Sequence, residues 1–192
     1  MDNSIFQDEL QQGERILWSG QPETSAIFTS ADFYLVPFSI LWGGFAIFWE
    51  AMVINTIGKT TCGRNAGVGG ALFGIPFVFM GLYFIFGRFI WKNYKKRRTY
   101  YAVTDKRVIV LTMLMNKNIQ ADFIDRIPTI NLSTRPDGIG TITFGNTPGV
   151  SGMYGNTGMD FFGSFYGQGA PVFYDIKDAE QVYRMVREQK GQ

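Results

Sequence analysis

The sequence predicts an α+β membrane protein, in which a two-helix transmembrane hairpin is joined to a small antiparallel β-domain with a C-terminal helix. Three observations lead there. Two apolar runs, at about residues 33–54 and 66–90, are each long enough to cross a hydrocarbon core of about 30 Å. After them the apolar period changes from helix-like to alternating, as strands require. The chain then closes on an amphipathic helical pattern in residues 176–187.

Taken in order, residues 1–31 are a largely polar, acidic segment with a short apolar run, Ile16, Leu17 and Trp18, bounded by Gly13 and Gly20. This trio suits a segment that packs on the β-rich domain. Residues 32–91 form the hairpin. Its first run begins some thirty residues in and follows an acidic stretch, which is unlike a cleaved signal peptide, so both runs are expected to remain in the mature protein. Pro37 and Pro76 are tolerable inside such helices, Pro76 as a kink, and Gly43, Gly44, Gly69, Gly70 and Gly74 permit close approach. Glu50, near the outer end of the first run, is read as reaching the interface.

Residues 92–192 form the β-rich domain. TYYAVT (99–104) and RVIVLT (107–112) are separated by Asp105 and Lys106, a hairpin signal. A further hairpin is read from 127–134 and 139–145 around Pro136, Asp137 and Gly138, with another short strand at 118–124. Ile176, Ala179, Val182, Tyr183 and Val186 share one face of the last helix, and Asp175 and Asp178 suit its N-terminal end. Residues 146–171 are a Gly/aromatic loop too long to be a simple connection.

Charge distribution sets the orientation. Arg88, Lys92, Lys95, Lys96, Arg97 and Arg98 follow the second run, whereas the inter-helix loop offers only Lys59 and Arg64. By the positive-inside rule both termini are then cytoplasmic. The same six cations form a collar for anionic headgroups, and Phe161, Phe162 and Phe165 of the long loop are candidates to meet the bilayer or a partner. There is no histidine, and Cys62 is the only cysteine. Histidine-dependent triads, paired-cysteine zinc sites and an internal disulfide are thereby excluded. No metal or cofactor is expected. The basic run is short and adjoins a span, so topogenic charge explains it better than nucleic acid does.

The segments GERILWSGQP (13–22), FSILWGGFAIFWE (38–50), GIPFVFMGLYFIFGRF (74–89), RRTYYAVTDKRVIVLT (97–112), DGIGTITFG (137–145) and the tail FYDIKDAEQVYRMVRE, in this order, resemble bacterial membrane proteins in which a helical hairpin precedes a PH-like domain. The resemblance spans nearly the whole chain. It implies a strongly bent antiparallel sheet or barrel plugged by the C-terminal helix, and it brings no catalytic residue.

The expected function is therefore a non-enzymatic, membrane-anchored binding or scaffolding protein of the bacterial cytoplasmic membrane, multi-pass. Its expected partners are anionic lipid and a further protein or a second copy of the chain. An accessory subunit of a larger membrane complex is the alternative, ahead of a small transporter or an enzyme.

Overall fold

The computed structural model describes residues 3–57, 64–146, 155–159 and 169–191. The chain divides into two units, one formed by Phe28–Trp91 and the other by Met1–Ile27 together with Lys92–Gln192.

In the first unit, helix α1 (Asp32–Ile57) packs against helix α2 (Arg64–Leu82), which continues through a π-helical turn (Tyr83–Gly87) into helix α3 (Arg88–Arg97). At 26 residues, α1 is about 39 Å long and exceeds the hydrocarbon thickness. Two helices, Asp32–Thr56 and Val68–Arg97, have the length and composition to cross a membrane. Their rings and aliphatic groups point outward: Phe33, Leu41, Phe48, Phe73 and Phe79 are all exposed. A water-soluble helix pair would bury such a surface, whereas lipid solvates it.

The helices touch through their smallest residues. A Cβ added to Gly81 would lie 2.8 Å from the Cα of Gly43, so the two backbones meet directly. Gly70 and Gly74 both face α1, towards Val53 and Glu50. Glu50 does not extend outward. Its carboxylate folds onto Gly74, where a side chain would occupy the same space, and its Oε2 is buried.

The second unit holds two antiparallel sheets. The first has the order β1-β2-β3-β4, from strands Ile16–Gly20, Thr99–Thr104, Arg107–Met113 and Lys117–Phe123. The other has the order β5-β6-β7, from Ile130–Thr134, Gly140–Phe144 and Val172–Ile176. Helix α4 (Ala179–Lys190) lies against the core with Ala179, Val182 and Val186 buried. β1 joins the sheet through Ile16↔Thr104 and Gly20↔Tyr101, so both membrane-length helices lie within the β1–β2 connection.

The β2–β3 hairpin is buried on both faces. Tyr101, Val103 and Val108 enter the main core, while Ala102, Ile109 and Leu111 are covered by Phe6 from a 3-10 turn (Asn3–Glu9). Two covered faces explain why these strands read as near-continuous apolar runs. Around Phe173 the rings of Tyr101, Phe144 and Trp18 gather at 4.6, 4.8 and 5.9 Å.

Three local expectations are corrected. The strand expected at 127–134 begins only at Ile130, because Ile124–Arg126 forms a 3-10 turn and Pro128 has no N–H for a ladder. Ile176 belongs to β7, a strand the sequence does not announce. Asp175 is likewise in β7 and not at a helix end, whereas Asp178 does stand at the N-cap of α4, in a left-handed conformation and without a side-chain cap.

Candidate functional site

The polar side chains that stand out are buried, and α3 supplies most of them. Arg88, Lys92 and Lys96 are four residues apart, so they share one face of that helix. All three are buried, whereas Arg97 and Arg98 are exposed and Lys95 is half-buried.

Lys96 donates to three oxygens: the Glu23 carbonyl at 2.9 Å, the Ala26 carbonyl at 2.6 Å and Asp175 Oδ2 at 2.6 Å. Lys92 Nζ donates to the Ile27 carbonyl at 2.6 Å. Residues 23–27 lie outside any strand, so their carbonyls have no ladder partner, and the two ammonium groups satisfy those of Glu23, Ala26 and Ile27.

Asp175 is the hub of this cluster. It sits where the β6–β7 register slips between Gly140 and Ile142, with φ +48. A bulge of this kind redirects one side chain out of the alternating pattern, and aspartate tolerates the left-handed region. Its carboxylate takes Lys96, Arg135 Nη2 at 3.1 Å and Asn156 Nδ2 at 2.5 Å. Asn156 belongs to the long loop, so this contact ties the middle of that loop to the core.

A second ion pair lies within the helical unit. Arg88 Nη1 is 2.8 Å from Asp32 Oδ1, and both side chains are almost wholly buried. Asp32 Oδ2 accepts from the N–H and hydroxyl of Thr29 at 2.6 and 2.7 Å, a reach-back across three residues that caps the start of α1.

A third cluster fixes the N-terminal segment to the β2–β3 hairpin. Glu14 accepts from Arg107 Nε and Nη2 at 3.0 and 2.6 Å, from Thr104 Oγ1 at 2.7 Å and from the Gln11 N–H at 2.8 Å. Burial alone would raise its pKa. The Arg107 and Thr104 bonds, the Gln11 amide and the Arg107 charge outweigh that and hold it at about 2. The same pairing raises Arg107 above its ordinary value.

The expected collar of six headgroup-facing cations is thus divided. Arg88, Lys92 and Lys96 are committed to internal acceptors, and only Arg97 and Arg98 of the six are fully on the surface. The four-residue spacing is the signal that separates the two sets. Phe161, Phe162 and Phe165 lie outside the described residues. The two ends of the long loop leave from Phe144 and Val172, whereas Arg135 and Asp175 mark the other end of the same sheet. Asp32, Asp175 and Glu14, the acceptors that anchor the three clusters, are not among the expected site residues.

Among the described residues no three histidine, cysteine, aspartate or glutamate side chains gather to hold a metal ion. The chemistry available at these clusters is architectural: each charged group faces an internal counter-ion or carbonyl, and the buried Arg88 guanidinium has its ion pair with Asp32 but no hydrogen bond. No curated protein and no solved structure matches the chain. A family described as "Bacterial PH domain" matches residues 51–190, from the last turns of α1 through the end of α4, with β1 outside the match. PH-like domains are generally non-catalytic. Two antiparallel sheets, a closing C-terminal helix and a match over most of its length place the chain in the bacterial PH domain family.

Proposed function

We propose that this chain is a non-enzymatic binding or scaffolding protein that holds its PH-like module at the inner leaflet of the bacterial cytoplasmic membrane. The observation that carries the reading is the pairing of β1 with β2 across a connection that contains both apolar helices. Two strands of one sheet lie on one side of a membrane, so the chain between them crosses an even number of times. A double crossing by α1 and the α2–α3 helix meets that condition. The excess of Lys and Arg after the second helix supports the cytoplasmic side.

Because the polar clusters are occupied by internal partners, the module works through its surface, and it recruits or organises another molecule without transforming it. Labelling of Cys62 by a membrane-impermeant maleimide in intact cells tests the topology. Modification only after lysis, with Cys62 accessible in detergent, would reverse the orientation. Native-detergent purification with mass analysis tests the role. A substoichiometric or exchangeable companion fits a binding module, and a fixed stoichiometric one makes the protein a subunit of a larger complex.

A further inference from the structure

Antiparallel pairing decides which turns share an end of the first sheet. Met113, the last residue of β3, donates its N–H to the carbonyl of Arg98 at 2.8 Å. Arg98 directly follows helix α3, and β2 begins at the next residue. The turn that joins β3 to β4, residues 114–116, therefore projects from the end of the sheet at which α3 arrives. Arg98 lies only about seven positions after Trp91, the last residue of the helical unit, and a helix of that length rises only about 10 Å. Only seven residues of chain therefore separate this end of the sheet from the last residue of the helical unit.

The tip of that turn is apolar. Met115 is 97% exposed, more than any other large hydrophobic side chain among the described residues, and Leu114 beside it is half-buried. Single exposed apolar residues are ordinary on a protein surface. Here the surroundings distinguish it. Arg97 and Arg98 are exposed at the same end, and the Arg98 guanidinium lies 5.6 Å from the centre of the half-exposed Tyr94 ring. A ring beneath a cation suits the headgroup layer, where one end is apolar and the other wet. The β2–β3 turn, at the opposite end of the sheet, carries Asp105 and Lys106 instead. Lys117, at the start of β4, is paired with Glu9 and adds little net charge to the tip.

We infer that Leu114 and Met115 form a second membrane contact, seated in the interfacial layer of the bilayer that holds the hairpin, while Arg97 and Arg98 take anionic phosphate. The inference rests on the membrane-anchored reading above. It assigns to the β3–β4 turn the role that the sequence assigns to the long aromatic loop.

Nitroxide accessibility in nanodiscs tests it. The full-length chain carrying Cys62→Ser is labelled at Met115→Cys, at Lys106→Cys as the distal control and at Phe79→Cys as the span control. Oxygen, which partitions into lipid, and a nickel chelate, which does not, serve as collision probes. In discs with about a third anionic lipid, the 115 label is expected to show a several-fold higher oxygen-to-nickel ratio than the 106 label. Arg97→Gln with Arg98→Gln, or wholly zwitterionic discs, should lower that ratio. Equal ratios at 115 and 106 overturn the inference, and so does a 115 label shielded from both probes, which marks a protein contact. A 79 label open to nickel would instead overturn the membrane-anchored reading itself.

Discussion

Glu14 shows how much one side chain contributes when its partners are fixed. Its carboxyl titrates at about 2 in the folded chain against an ordinary 4.5. The folded state therefore binds fewer protons than the unfolded state between those values. The stabilisation is fully present above the ordinary pKa and is lost as pH falls through about 2. Linkage puts the loss at about 3 kcal/mol. In urea titrations in detergent, unfolding free energy is expected to fall by about that amount between about pH 5 and 2, and Glu14→Gln should remove most of this acid slope. An unchanged slope in the variant would show that other carboxylates set the acid limit. The pairing is not legible in the sequence, because Arg107 lies 93 residues away and Glu14 sits in a segment notable for its apolar trio. Asp175 misleads for a related reason. Acidic residues before an amphipathic pattern ordinarily mark a helix start, and only the slipped register between β6 and β7 reveals its other use.

At the scale of elements, the period of the apolar residues carries the strands of the first sheet, and the length of the apolar runs carries the two long helices. β7 is hidden because its five residues run into α4 with two residues between, so one helical pattern covers both. The face of α3 is hidden too, since the need for positive charge near a membrane already accounts for every cation there. Yet Arg88 is committed to Asp32, and that pair joins the two ends of the helical unit. Removing one member of a buried pair costs about 3–5 kcal/mol, whereas replacing both by apolar groups of similar volume is often neutral. Asp32→Asn is therefore expected to destabilise the hairpin by about 3 kcal/mol, and Asp32→Leu with Arg88→Leu by clearly less. Denaturation of both variants in mixed micelles checks this, and a double variant that is worse than the single one would count against the account.

For the whole molecule, the order of hairpin, sheet and closing helix is readable from sequence because each part has its own period and length. The discontinuity of the β-domain is harder to see, since β1 offers five residues and its partner comes after both long helices. β1 brings the partly buried Trp18 onto Phe173, and loss of such a ring costs less than the about 3–5 kcal/mol of a fully buried one. Deleting residues 1–22 is expected to make residues 92–192 sensitive to protease in proteoliposomes while the helical signal of the hairpin persists; undiminished resistance would show that β1 is dispensable. The same interrupted sheet has a consequence for how the protein is made. β1 leaves the ribosome first and waits while residues 21–98 are synthesised, several seconds at about 5–20 residues per second. During that interval each helix is committed to the bilayer or not. If the chain spans the membrane as proposed, a helix that fails to cross leaves β1 and β2 on opposite faces and Trp18 away from the ring cluster around Phe173. On the membrane-anchored reading proposed above, completion of the domain records that insertion succeeded, and a molecule in which it failed is left with the β1 edge of β2 unpaired.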